Sequence, residues 1–131
     1  MCGIAGVFEF DRDARADPRL LERMTRLIAH RGPDDSGHFL RGSVGLGHRR
    51  LSIIDLSAAG HQPMGSPDGA VWITYNGECY NYADLADLLR SRGCSFRSTS
   101  DTEVILQLYI EFGERSERGG SGSDCRRTAT G

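Results

Sequence analysis

An α+β fold is what this chain predicts, on three observations. Short runs at residues 4–10, 44–48 and 70–75 carry the apolar, β-branched or aromatic content of strands. Three other segments repeat apolar residues at helical spacing, each with a start signal before it and glycine after it. The chain has 131 residues, enough for at most one ordinary domain.

Each element follows from local chemistry. Residues 4–10 form a mostly apolar run that would bury the start of the chain in a sheet and hold Cys2 at its edge. Asp17-Pro18 starts a helix, with a carboxylate at the N-cap and proline at the first helical position. Leu20, Leu21, Met24, Leu27 and Ile28 then mark one apolar face, and Gly32-Pro33 ends the helix. A glycine-rich stretch follows, with strand candidates at residues 44–48 and 51–55. Residues 57–69 hold two prolines and three glycines and predict a loop. Residues 70–75 predict a strand. Residues 82–92 predict a second helix, with Leu85, Leu88 and Leu89 apolar, Asn81 a candidate cap and Gly93 the stop. Residues 95–98 are a short strand candidate. Ser100-Asp101-Thr102-Glu103 fits a capping box. It opens a third helix whose Val104, Ile105, Leu108 and Phe112 face the core, ending at Gly113.

After Gly113 the composition breaks. Residues 114–131 contain no Leu, Ile, Val, Phe, Tyr, Trp or Met and cannot bury enough apolar surface to order themselves. The expected division is therefore a domain over residues 2–113 and a disordered or aberrant tail over 114–131. The tail reads as truncation followed by out-of-frame or unrelated sequence; the rival reading is a functional basic tail. Its charge is nearly balanced, which disfavours the rival.

Bulk properties exclude some functions. The net charge is −2 with both signs mixed, which argues against binding nucleic acid or a membrane surface through bulk charge. No apolar run is long enough to span a bilayer, and residues 1–10 lack the pattern of a secretory signal, so a cytoplasmic setting is expected. Cys2, Cys79, Cys94 and Cys125 show no paired short spacing, so free thiols are expected, with Cys79 and Cys94 buried. His30, His38, His48 and His61 are scattered singly, and no metal site is expected.

Cys2 follows the initiator methionine. Removing Met1 would leave a thiol and a free α-amine on one residue, the two groups amine-activated nucleophilic catalysis needs. An α-amine has an ordinary pKa of about 7.7–8.0, so a useful fraction is a neutral base near pH 7. Behind Cys2 come His30-Arg31-Gly32-Pro33-Asp34-Asp35-Ser36-Gly37, Gly47-His48-Arg49-Arg50-Leu51-Ser52-Ile53-Ile54-Asp55, Tyr75-Asn76-Gly77-Glu78-Cys79-Tyr80-Asn81-Tyr82 and Ser100-Asp101-Thr102-Glu103. In this order and at these separations they resemble the class II glutamine amidotransferase domain of the asparagine synthetase family. The resemblance covers about residues 2–113, and the segment Arg31–Asp35 favours the asparagine synthetase branch.

The resemblance implies a four-layer αββα N-terminal nucleophile hydrolase fold, present only as its N-terminal part. It implies hydrolysis of glutamine to glutamate and ammonia, with Cys2 as nucleophile. Asn76 and the Gly77 N–H would form the oxyanion hole, since Asn offers an uncharged donor and Gly lets substrate approach the backbone. Taken alone, Asn76-Gly77 more often means a type I′ turn, but with Glu78 following a strand and a helix coming next the site is the favoured reading. Arg50 would bind the glutamine carboxylate through its guanidinium fork, while Arg49 faces the other side of its strand. The backbone of Ile53 and Ile54 would add contacts. Asp101 would bind the substrate ammonium, with Glu78 sharing the role; the alternative for Asp101 is helix capping. Arg31–Gly37 would be a structural loop bordering the pocket, with Arg31 a weaker candidate for a direct role. Asn81 would orient the oxyanion loop or cap the second helix.

No cofactor is expected in this chain. ATP and magnesium are implied for a missing or separate ATP-dependent synthetase domain, because no pyrophosphate-binding loop occurs here. The alternative function is an inactive truncated fragment that at most binds glutamine or a synthetase partner. The sequence supplies one sheet and its flanking helices, and an uncovered sheet face would favour that alternative.

Overall fold

The structure, a computed structural model, describes residues 1–11, 13–52 and 58–113. They fall into two units. The first is built on a three-stranded antiparallel sheet: β1 (Gly3–Phe8), β2 (Asp35–Arg41) and β3 (Val44–Arg50), in the order β1-β3-β2. The register pairs Gly3 with Arg49 across β1 and β3, and Asp35 with Arg50 across β2 and β3.

Helix α1 (Pro18–Leu27) starts as the sequence predicts: the Asp17 carboxylate accepts the Arg19 N–H at 2.8 Å. It lies over the central strand. A Cβ on Gly45 would meet the Leu21 side chain, and one on Gly47 would collide with Thr25. Two glycines thus let the helix sit close to the sheet, and Ala5 of β1 is buried beside them. The predicted apolar face of α1 is narrower than its sequence pattern. Leu21 is fully buried, but Leu20 and Leu27 are exposed. Thr25 takes the buried position one turn after Leu21, and its hydroxyl donates to the Leu21 carbonyl at 2.8 Å, so burial leaves that hydroxyl paired. The helix ends at Leu27, before Gly32-Pro33, and a 3-10 turn over Ala29–Arg31 completes the passage.

The second unit holds a two-stranded antiparallel ladder, β4 (Met64–Gly65) with β5 (Trp72–Ile73), and two helices, α2 (Tyr82–Ser91) and α3 (Asp101–Phe112). Its core is Ala86, Leu89 and Val104, with Tyr82, Leu85, Phe96, Leu108 and Phe112 packed against it. Leu85 and Leu89 of α2 and Val104, Leu108 and Phe112 of α3 pack there as the spacing predicts, whereas Leu88 is exposed and Leu106 is also buried.

Several expectations are corrected. Residues 35–37 belong to β2, where a loop is expected over Arg31–Gly37; pairing with β3 supplies the partners that make the segment a strand. The expected loop over 57–69 contains β4 and a 3-10 turn at Ala58–Gly60. The strand over 70–75 pairs only at Trp72–Ile73. Leu51 and Ser52 lie past the end of β3, and the rest of that strand candidate is outside the described residues. Residues 95–98 form no strand, because the Arg97 and Ser98 N–H groups donate to the Glu103 carboxylate at 2.9 and 2.7 Å instead of to a ladder. That diverts Glu103 from the capping box. Ser100 still caps α3, accepting the Thr102 N–H at 3.1 Å, but its own N–H donates to Ser98 Oγ. The described residues form two small sheets where one is expected. The described residues form an α+β arrangement of antiparallel sheets and three α-helices.

Candidate functional site

Cys2 sits one residue before β1. Carried one step outward, the Gly3–Arg49 register sets Cys2 opposite Arg50. Its sulfur lies against Leu51, accepting the Leu51 N–H at 3.3 Å and standing 3.7 Å from the Leu51 carbonyl oxygen. The Cys2 carbonyl accepts from Arg31 Nε at 3.1 Å. Met1, which precedes Cys2, is 78 % exposed.

Arg50 is the last residue of β3 and is 8 % exposed. Arg49 turns away, as strand alternation predicts: its Nε donates to the Gly32 carbonyl at 2.9 Å. The segment around Arg31 therefore clasps the end of β3. The Asp34 N–H donates to the Arg50 carbonyl at 3.0 Å, and the Asp34 carboxylate accepts the Ser52 N–H at 2.8 Å. Asp35 stands beside these groups and pairs with His61 Nδ1 at 2.6 Å. Burial alone would raise the Asp35 pKa. The His61 and Ser36 hydrogen bonds, with the charges of His61 and Arg50, outweigh it and hold the carboxyl below its ordinary value.

Asn76 also belongs to the first unit and is half-buried. The segment leading to it is held by two buried side chains. His48 Nδ1 lies 2.9 Å from Thr74 Oγ1, and Gln62 Oε1 accepts the Tyr75 N–H at 2.6 Å. Asn76-Gly77 is not a type I′ turn. That turn needs positive φ at both positions, and neither residue has it.

Gly77, Glu78 and Asp101 belong to the second unit. Gly77 and Glu78 are exposed. Asp101 opens α3 and is buried, and its carboxylate accepts the Cys79 N–H at 3.0 Å. The cap of α3 is Ser100, so capping does not explain Asp101. Asn81 stands at the N-cap position of α2 without a side-chain cap bond, and its Oδ1 lies 3.4 Å from the Cys79 sulfur. Ile53 and Ile54 lie outside the described residues.

Cys2, Cys79 and Cys94 are free thiols; Cys79 is buried and Cys94 only partly so. Among the described residues, no three His, Cys, Asp or Glu side chains are grouped to hold a metal, and no helix is long and apolar enough to cross a membrane. His48, Gln62 and Asp34 were not among the expected site residues. The signal for His48 was present: it lies two residues before Arg50, on the same strand face. Gln62 and Asp34 gave no local signal.

The glutamine amidotransferase domain family matches residues 1–122. The chain is 43 % identical over 118 residues to asparagine synthetase (glutamine-hydrolyzing) 1 of Bacillus subtilis, covering 88 % of this chain and 18 % of the relative. It is 41 % identical over 113 residues to asparagine synthetase (glutamine-hydrolyzing) 1 of Arabidopsis thaliana, covering 86 % and 19 %. It is 40 % identical over 123 residues to amidase chyE of Penicillium rubens, covering 86 % and 18 %. The chain spans about a fifth of the length of these relatives.

Proposed function

The chain belongs to the glutamine amidotransferase domain family, and from that premise we propose that it is the glutamine-hydrolysing part of an asparagine synthetase. Once Met1 is removed, the Cys2 α-amine takes the thiol proton, directly or through one water. The sulfur attacks the side-chain carbonyl carbon of glutamine. The carbon–nitrogen bond breaks, ammonia leaves with a proton returned by the amine, and a thioester remains. Water then attacks the thioester, releasing glutamate and restoring the thiol. The Asn76 amide and the Gly77 N–H stabilise the oxyanion, and Arg50 takes the substrate carboxylate in two hydrogen bonds.

One observation carries this reading. The Cys2 sulfur rests on the backbone of Leu51, the residue after the largely buried Arg50, so Cys2 and Arg50 lie at the same end of one sheet. The roles of Gly77, Glu78 and Asp101, and of the Ile53 and Ile54 backbone, rest on the family resemblance and are to be tested residue by residue. The ammonia is consumed by an ATP- and magnesium-dependent synthetase domain, in the same or a separate chain. A four-layer αββα arrangement and a cytoplasmic setting belong to the same proposal, the latter in keeping with the free cysteines among the described residues.

The test combines mass spectrometry of the N-terminus with glutaminase assay. Loss of Met1, labelling of Cys2 by a glutamine-analogue electrophile, and hydrolysis abolished by Cys2→Ala are expected. Turnover by a chain that retains Met1, or by Cys2→Ala, would overturn the mechanism.

A further inference from the structure

His48 is an unusual occupant of the middle strand of a sheet. It is fully buried, pairing with Ile4 across β1 and Gly37 across β2. Nδ1 meets Thr74 Oγ1 at 2.9 Å, while Nε2 is buried with no hydrogen-bond partner among the described residues. Burial, reinforced by the charge of Arg50, pushes the ring's pKa down to about 4, so the ring is neutral near pH 7. A neutral ring has one N–H. Placed on Nδ1 it reaches Thr74 and leaves only a lone pair unpaired at Nε2; placed on Nε2 it would be an orphaned buried donor, the rarer defect. The first tautomer follows, with Nδ1–H donating to Thr74 Oγ1. Packing gives no reason for such a side chain, since an apolar one would bury without an unpaired nitrogen.

We propose that His48 is a positioning residue: with Gln62 it holds the Thr74–Asn76 segment, and so sets where Asn76 stands relative to the strand that carries Arg50. This rests on the reading of Asn76 as an oxyanion donor. Residues 74 and 75 are gripped in succession, the first by His48 through its side chain and the second by Gln62 through its backbone N–H. Gly37 lets this happen: a Cβ there would collide with the Gln62 carbonyl and the His61 ring, so the glycine allows His61–Pro63 to lie against β2. Asn76 is the next residue after the gripped pair. His48 and Arg50 share a strand face, so one strand sets both the carboxylate clamp and the oxyanion segment.

The test uses His48→Leu, His48→Asn, Thr74→Val and the Leu/Val double variant of the full chain. For each, kcat and KM for glutamine hydrolysis are measured, together with amide hydrogen exchange at Tyr75 and Asn76. Asparagine places a side-chain nitrogen where Nδ1 stands, and Thr74→Val removes the hydroxyl with little change of shape. His48→Leu and Thr74→Val are each expected to lower kcat about tenfold with KM within about twofold, and to speed exchange at Tyr75 and Asn76 about tenfold. His48→Asn is expected to recover both, and the double variant to be no worse than either single one. Unchanged kcat and exchange in both single variants would overturn the proposal. So would losses that multiply in the double variant, or a loss that asparagine does not recover. Should the wild-type chain hydrolyse no glutamine, the function above fails, and the exchange measurement decides: unchanged exchange overturns the tether, and faster exchange recovered by asparagine upholds it.

Discussion

Arg50 lies at the last position of β3 with 8 % of its surface exposed, held there by backbone bonds from the segment around Asp34. A side chain so largely buried has little rotamer freedom left to lose. Lysine at this position keeps the charge but not the two parallel donors. Arg50→Lys is therefore expected to raise KM for glutamine about tenfold, with kcat changed less, as measured by steady-state hydrolysis. A larger fall in kcat than rise in KM would place Arg50 at the reacting carbonyl instead. Arg50 was legible in the sequence because it stands in a family segment, whereas the Cys2–Leu51 contact was not, since it joins residues 49 apart through strand pairing.

The helices show which local signals survive folding. Asp17-Pro18 carries all it needs to start α1 within two residues, and the start was legible. The end was not, because the last turn tightens into a 3-10 turn before the glycine is reached. β2 was illegible for a different reason: Asp35, Ser36, Gly37 and His38 have low strand propensity, and only pairing with β3 makes them extended. Glu103 gave a true signal with a wrong partner. Its carboxylate is 1 % exposed and accepts from Arg97 N–H, Ser98 N–H and Ser98 Oγ. Glu103→Ala strands two backbone donors at once and is expected to cost about 3 kcal/mol in chemical denaturation. A change below about 0.5 kcal/mol would mean that water replaces the carboxylate.

For the molecule as a whole, His48 sets an acid limit. Its pKa is about 4 in the fold against an ordinary 6.5, through burial first and Arg50 and His61 next, opposed by Asp35. Between those values the unfolded chain binds a proton that the folded chain does not, so stability falls as pH drops through this window, by up to about 1.4 kcal/mol per pH unit. At pH 7 and above the effect vanishes. Thermal unfolding from pH 7 to 5 is expected to show this slope in the wild type and a shallower one in His48→Asn; equal slopes would mean that the ring protonates in place. Asp35, with its lowered pKa, adds a loss only below the ordinary carboxylate range. The α+β class and three helices were legible because their signals are local. The tether from His48 to Thr74 was not, because no pattern within 26 residues of chain announces it. The glycines under α1 carry one more consequence. Gly45 and Gly47 leave β3 with little tendency of its own to be extended, so its shape is imposed by β1, β2 and the helix above. A synthetic peptide of that strand would be featureless coil. Any shortened version must therefore keep the whole cradle, for no short excerpt can hold Arg50 as the sheet does.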